Sequence, residues 1–159
     1  MAAKYPGHVV LAADTLVLLK GHILGKPADA ADARHILQRL RGTRHTVVSG
    51  VAVRYGEVER TGAEETVVVM RRVADEAIDA YVATGGPMGK AGAYAVQEQG
   101  DRFIERMEGS YTNVVGLPME LVGRMLAAVG VTPTRVPARF ARTRRAPRRA
   151  RIRRGDRSG

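Results

Sequence analysis

The apolar positions of this 159-residue chain fall into short runs that predict a mixture of strands and helices. Two Val- and Leu-rich runs, residues 9–13 and 15–19, are typical of strands, and the first is predicted to be buried. A tight turn is predicted to follow at residues 20–22. Residues 46–55 and 65–70 are also rich in Val, so they predict two further strands.

Apolar residues at helical spacing predict three helices. The first would begin after Asp29, whose side chain can cap the free N–H groups of a first turn. Asp75 would cap a short second helix, and a last helix would follow Pro118. The buried stripes of the first and last helices are predicted to be Ala33, Ile36, Leu37, Leu40, Leu121, Val122, Met125, Leu126 and Val129. This mixture of elements predicts an α/β domain with a mixed sheet flanked by helices.

Residues 132–159 differ in composition from the rest of the chain. They are rich in Pro, Arg and Ala and have no apolar period, which predicts a disordered Arg-rich tail after a folded domain at residues 1–131. From residue 134 onward the tail holds 11 of the 26 basic residues and one of the 16 acidic ones, leaving 15 of each before it. The net charge of +10 therefore belongs to the tail, which is either a solvated extension or an arm that binds nucleic-acid phosphates.

The composition also excludes several kinds of site. The chain has no Cys, which excludes disulfides, thiolate metal sites and thiol catalysis, and which fits a reducing compartment. No apolar run approaches the roughly 18 residues of a membrane span. The first residues lack the basic-then-apolar order of a signal peptide, so we expect a cytoplasmic protein without a membrane segment.

Asp14 is the most informative polar residue, because it directly follows the apolar run at residues 9–13. A carboxylate at the end of a buried strand is costly unless it has a partner. Lys26, in a Gly-Lys-Pro segment, can be that partner, or both charges can face a charged ligand. By position alone, an ion-paired or capping Asp14 and a solvated turn lysine remain the alternatives.

Two further candidates lie between residues 85 and 97. Lys90 belongs to a Gly-rich segment whose backbone N–H groups can approach an anion, although its spacing is not that of a P-loop. An ordinary loop is the alternative. Gln97 can read a base edge through hydrogen bonds, or it can be a surface amide. The four His residues form no ligand set, and His35 and His45 are predicted to be structural.

Taken in order, these segments resemble the Maf family of nucleoside triphosphate pyrophosphatases, also described as septum formation inhibitors. The resemblance covers residues 9–131, and its most specific motifs are ADT at 13–15, GKP at 25–27, KAGAY-x-x-Q at 90–97 and GSYTNVVGLP at 109–118. It implies an α/β fold of the inosine-triphosphate-pyrophosphatase type and a homodimer. It also implies hydrolysis of a nucleoside triphosphate to the monophosphate and pyrophosphate with a divalent cation, Mg²⁺ or Mn²⁺. The KAGAY-x-x-Q form resembles the branch that acts on dTTP and UTP.

The resemblance also assigns roles to five residues of this chain. Asp14 matches the proton acceptor that activates water, and it is also expected to help hold the metal. Thr15 and Gln97 match positions linked to substrate choice. Lys26 and Lys90 match lysines suited to the phosphates.

Two departures from the family pattern bear on activity. The family's opening strand and Ser-x-Ser-Pro-Arg-Arg segment have no counterpart here, so we expect an N-terminally truncated domain without the arginines that would contact phosphates. Gly89 stands where the family usually has Asp. The alternatives to a dTTP/UTP pyrophosphatase are therefore a catalytically impaired nucleotide-binding remnant of the family and a nucleic-acid-binding protein that acts through its tail.

Overall fold

The computed structural model describes residues 4–5, 7–97 and 99–132 of the chain. The predicted tail therefore lies, from residue 133 onward, outside the described residues. The helices and strands, in chain order, are β1 (Val9–Leu19), β2 (His22–Leu24), α1 (Ala30–Leu40), β3 (Arg44–Tyr55), β4 (Val58–Met70), α2 (Asp75–Val82), two 3-10 segments (Ala91–Ala93 and Gln99–Phe103), β5 (Ile104–Glu108), α3 (Tyr111–Val115) and α4 (Met119–Ala128).

The strands form one sheet in the order β2-β1-β3-β4-β5. The predicted α/β arrangement of a sheet with helices is confirmed. All four described strand pairs are antiparallel, whereas the sequence predicts a mixed sheet. The difference arises because β1–β2 and β3–β4 are hairpins, whose tight connections reverse the chain.

Strand β1 is longer than predicted, and it passes through Asp14 without a break. Its residues 9–18 pair with β3 in continuous register, with Asp14 opposite Gly50. The prediction of a buried first half is wrong, because residues 11–14 are exposed and burial begins only at Val17. Strand β2 covers β1 only from residue 17 to residue 19. The edge of β1 that faces β2 therefore has no strand partner over residues 9–16 in the described part of the chain.

Helices α1, α2 and α4 lie where the apolar spacing predicts helices, whereas α3 was not predicted. Asp29 caps α1 by accepting a hydrogen bond from the N–H of Asp32, and the predicted stripe of α1 is buried. Asp75 is not the cap of α2, because Ala74 occupies that position. The Asp75 carboxylate instead accepts hydrogen bonds from Gln38 and Arg41, which joins α2 to α1.

One face of the sheet carries the core. Along β3, the side chains at positions 45, 47, 49, 51 and 53 are buried, whereas those between them are half-buried or exposed. The larger hydrophobic cluster on this face packs β1, β3 and β4 against α1 and α2. The smaller cluster comprises Val51, Val53, Val122, Met125 and Val129. Among the described residues, no helix has both the length and the apolar character needed to cross a membrane.

Candidate functional site

A pocket of about 360 Å³ lies where the middle of β1 meets the loop at residues 89–97 and the end of α3. Its walls combine a strand, a Gly-containing loop and a helix terminus. All five residues singled out from the sequence line this pocket, although 83 residues separate the first from the last: Asp14, Thr15, Lys26, Lys90 and Gln97. The fold therefore brings the predicted site residues together in one place.

Asp14 lies at this pocket as an exposed residue in the middle of a strand. It is neither buried nor at a strand end, so the expected desolvation cost does not arise. Its carboxylate accepts a hydrogen bond from the N–H of Thr15 at 2.9 Å. No ion pair joins Asp14 to Lys26 in the described structure, and both line the same pocket. Of the two alternatives raised by the sequence, the geometry favours two charges that face a common ligand.

The two lysines are held on neighbouring segments. The N–H of Gly92 donates to the carbonyl oxygen of Gly25 at 3.1 Å, which ties the Lys90 loop to the Lys26 segment. Lys90 Nζ donates to the carbonyl oxygen of Gly86 at 2.9 Å. Gly92 has a φ of +71°, and a Cβ there would lie 3.0 Å from a methyl group of Val17. Glycine is therefore required for the loop to approach β1 this closely.

Hydroxyl groups form the wall beside Asp14. The Thr15 and Ser49 hydroxyl oxygens lie 2.8 Å apart, on paired positions of β1 and β3. Thr15 Oγ1 also donates to the carbonyl oxygen of Gly116 at 3.3 Å, and Ser49 Oγ donates to that of Asn113 at 3.3 Å. These bonds connect the pocket to α3.

Asn113 is the centre of the buried part of this network. Its side chain is fully buried, and Nδ2 donates to the carbonyl oxygen of Val47 and to Thr66 Oγ1, both at 3.0 Å. Its Oδ1 is buried with no hydrogen-bond partner. Thr66 Oγ1 also accepts from the Ser110 N–H and donates to the Ser110 carbonyl oxygen. The backbone of α3 is thereby fixed against β3 and β4.

The network continues to the protein surface. Ser110 caps α3 by accepting a hydrogen bond from the N–H of Asn113. The hydroxyls of Ser110 and Thr112 both donate to Glu120 Oε2, at 3.0 and 2.9 Å. The Glu120 carboxyl has a pKa below its usual value, because it accepts a hydrogen bond from its own backbone N–H and from these two hydroxyls.

Sequence reasoning missed the positioning function of these polar residues. In the sequence, residues 109–118 are recognised only as a motif of the family, and Ser49 only as part of a Val-rich strand. The available signal was the alternation along β3, which places Ser49 on the same face as Val47 and Val51. A hydroxyl at an inward position must have a hydrogen-bond partner, and that requirement points to a buried polar network.

His45 and Tyr94 form a second buried polar contact. His45 Nε2 and the Tyr94 hydroxyl lie 2.7 Å apart, and the rings meet edge to face. Burial lowers the pKa of His45 to about 4 and raises the pKa of Tyr94 above its usual value. Both groups are therefore uncharged at neutral pH. His45 supports Tyr94, which lines the pocket, as expected of a structural histidine.

The pocket offers few metal ligands. No group of three or more His, Asp or Glu residues suited to a metal occurs within the described residues. Among the described residues that line the pocket, Asp14 supplies the one carboxylate, and Gly89, another of them, adds none. Such a donor set fits a Mg²⁺ ion held by one carboxylate, substrate phosphates and water.

The sequence was compared with known proteins. Residues 1–129 match the family described as Maf-like protein. A dTTP/UTP pyrophosphatase of Anaeromyxobacter dehalogenans (strain 2CP-C) is 49% identical over 133 residues, which is 81% of this chain and 69% of the relative. A dTTP/UTP pyrophosphatase of Symbiobacterium thermophilum is 46% identical over 130 residues, or 82% of this chain and 67% of the relative. One of Geobacter sulfurreducens is 48% identical over 133 residues, with 81% and 69% covered.

Proposed function

The chain belongs to the Maf family, and we propose that it hydrolyses a pyrimidine nucleoside triphosphate, dTTP or UTP, to the monophosphate and pyrophosphate. The observation that carries this proposal is the convergence of Asp14, Lys26 and Lys90 on one pocket with Thr15 and Gln97. One carboxylate and two ammonium groups suit the activation of water beside a triphosphate. The similar proteins named dTTP/UTP pyrophosphatase support the substrate class.

In the proposed reaction, Asp14 accepts a proton from water, and the resulting hydroxide attacks the α-phosphorus. The bond between this phosphorus and the oxygen that bridges to the β-phosphorus breaks, and pyrophosphate leaves with the bridging oxygen. Lys26 and Lys90 bind phosphate oxygens and stabilise the negative charge that develops on the leaving group. Because Asp14 is exposed in the middle of β1, its carboxylate is accessible to the attacking water.

We also propose a divalent cation, Mg²⁺ or Mn²⁺, as cofactor, with Asp14 as its protein ligand. When bound, such a cation neutralises part of the phosphate charge. The remaining ligands would be phosphate oxygens and water, since Asp14 is the one carboxylate among the pocket-lining residues that the structure describes. Thr15 and Gln97 are then left to contact the nucleoside, where their hydroxyl and amide can form hydrogen bonds.

Pyrophosphate release from dTTP, UTP, CTP and GTP in the presence of Mg²⁺ tests the proposal. Asp14→Asn is expected to lower the rate with dTTP or UTP by about 10²–10⁴-fold, the usual contribution of a general base. The matched control is Asp101→Asn, an exposed carboxylate outside the residues that line the pocket, which should leave the rate unchanged. If the unaltered chain bound nucleotide but released no pyrophosphate from any triphosphate, the hydrolase proposal would be wrong and the binding alternative would be favoured.

A further inference from the structure

We propose that Ser49 is a positioning residue that makes the Thr15 hydroxyl a hydrogen-bond acceptor toward the nucleoside part of the substrate. This inference rests on the proposed function and deepens it by naming how the pocket selects its ligand. Ser49 is fully buried, so it acts through Thr15 and does not touch the ligand itself.

The hydroxyl groups of Thr15 and Ser49 have fewer hydrogens than contacts. Thr15 and Ser49 carry one each, and three contacts compete for them. The two hydroxyl oxygens are 2.8 Å apart, a distance that requires a hydrogen between them. The other two contacts, to the carbonyl oxygens of Gly116 and Asn113, are longer at 3.3 Å.

Two arrangements satisfy the short contact. In the first, Thr15 donates to Ser49 and Ser49 donates to the Asn113 carbonyl. In the second, Ser49 donates to Thr15 and Thr15 donates to the Gly116 carbonyl. Both use both hydrogens inside the protein, so Thr15 presents lone pairs to the pocket.

The acceptor character of Thr15 excludes some ligand groups and favours others. Phosphate oxygens at neutral pH are acceptors, so to receive the Thr15 hydrogen they would have to displace Ser49 in the first arrangement or the Gly116 carbonyl in the second. A ligand donor adds a bond without breaking one. A uridine or thymidine nucleotide has such donors on the base, at N3–H, and on the sugar, at the 3′-hydroxyl. The Thr15 wall therefore fits the nucleoside, while the Lys26 and Lys90 wall fits the phosphates.

The receiving carbonyl is itself held in place. Asn113 lies in α3, and its side chain is anchored to the carbonyl of Val47 and to the Thr66 hydroxyl. A rigid acceptor behind Ser49 keeps the hydrogen of Thr15 turned away from the pocket in the first arrangement. Ser49 therefore transmits the geometry of α3 to the pocket wall.

The experiment compares UTP with two analogues, N3-methyl-UTP and 3′-deoxy-UTP, each of which lacks one donor. Ser49→Ala removes both arrangements, because each uses the Ser49 hydroxyl. It leaves the Thr15 hydrogen only the longer contact to the Gly116 carbonyl, so a ligand acceptor can compete for that hydrogen. It should lower kcat/KM for UTP about tenfold, the equivalent of one ordinary hydrogen bond. The analogue that lacks the relevant donor should be insensitive to Ser49→Ala, which distinguishes the base N3–H from the sugar hydroxyl.

Two further variants separate positioning from mere stability. Thr43→Val removes a hydroxyl that donates to the Leu40 carbonyl at 2.7 Å and does not line the pocket, so it should leave the ratio among the three nucleotides unchanged. In a Thr15→Val background, Ser49→Ala should cause no further change in that ratio, because the group it positions is gone.

The inference is overturned if Ser49→Ala changes kcat/KM for all three nucleotides by the same factor, or for none. Calorimetric affinities for the same three nucleotides allow Ser49→Ala to be compared with the unaltered chain in the same way without turnover. An unaltered chain that releases no pyrophosphate would defeat the proposed function alone, and the ratio of affinities would still decide the role of Ser49.

Discussion

The two hydrophobic clusters on the covered face of the sheet differ in size and in construction. The larger one takes residues from all five strands, from α1 and α2, and from the loop behind the pocket. The smaller one has five buried residues, from β3, α4 and the chain just after α4. Strand β3 runs through both, and its inward positions change from Val47 to Ser49 and then to Val51. The interruption by Ser49 marks the boundary between the clusters.

The boundary is polar because the pocket opens there. Thr15, Ser49, Asn113 and Thr66 lie between the clusters. Side-chain hydrogen bonds join Thr15 to Ser49 and Asn113 to Thr66, and the Ser49 hydroxyl donates to the backbone carbonyl of Asn113. Buried polar groups are tolerated when they are hydrogen-bonded, and these are, apart from Asn113 Oδ1. The residues that stabilise the fold and the residues that form the pocket therefore lie in different parts of one sheet face. Substitutions should affect stability in one part and ligand recognition in the other.

The largest stability effect should come from the larger cluster. Leu37→Ala removes a side chain that is 2% exposed in α1 and leaves a cavity, so we expect a loss of about 3–5 kcal/mol of unfolding free energy. Met125→Ala in the smaller cluster should cost less, about 2–3 kcal/mol, because Met125 lies closer to the surface and its surroundings can relax. Urea unfolding followed by circular dichroism measures both. Equal losses would contradict the ranking of the two clusters.

A smaller loss is expected at the boundary between the clusters. Thr66→Val keeps the shape of the side chain but removes the partner of Asn113 Nδ2 and of the Ser110 N–H. Each buried donor left without a partner is costly, so the expected loss is about 1–3 kcal/mol. Thr61→Val, at an exposed position of the same strand, is the matched control and should change the unfolding free energy very little. If both variants unfolded at the same urea concentration, the buried network would not contribute to stability.

Much of the fold was predictable because its local signals agree with its packing. The α1 stripe and its Asp29 cap follow directly from the spacing of apolar residues and from capping chemistry. The inward positions of β3 follow from alternation. The exposure of the first half of β1 was not predictable, since an apolar run gives no information about which neighbours cover it. That depends on contacts distant in sequence.

The candidate site was predictable in its members but not in its geometry. Asp14, Lys26 and Lys90 were singled out by charge and local context, Gln97 by the hydrogen-bonding capacity of its amide, and Thr15 by the family resemblance. Their convergence depends on the register of β1 with β3 and on the Gly25–Gly92 hydrogen bond, neither of which a local pattern contains. The network around Asn113 was missed for the same reason, because the partners of Asn113 come from β3 and β4, which are distant from it in sequence.

The His45–Tyr94 hydrogen bond lies in the larger cluster, and the pH dependence of the unfolding free energy should reveal its contribution. Burial lowers the pKa of His45 to about 4, below the usual 6.5, so the unfolded chain binds a proton there more readily than the folded one. The contribution of His45 to the free energy of unfolding is then fully present above pH 6.5, and it is lost as the pH drops toward 4. From pH 7 to 5.5 we expect a loss of about 1 kcal/mol from this group, measured by urea unfolding.

Two histidine variants sharpen the test of this pH dependence. His45→Phe should remove this part of the pH dependence, although it also leaves the Tyr94 hydroxyl without its partner and lowers stability at every pH. His35→Gln, at an exposed position of α1, should preserve the pH dependence. A pH profile of His45→Phe that is as steep as that of the unaltered chain would show that other groups are responsible.

The smallest effect is expected at the outer end of the hydrogen-bond network. Glu120 is exposed in the first turn of α4 and accepts hydrogen bonds from Ser110 and Thr112. Glu120→Gln should cost only about 0.5 kcal/mol, because exposed contacts of this kind are well hydrated when broken. Glu57→Gln, whose side chain is 99% exposed, is the matched control. A change in pyrophosphate release by Glu120→Gln, with stability unaltered, would mean that the network carries its influence from the surface to Thr15, and the proposed separation of stability from recognition would then fail.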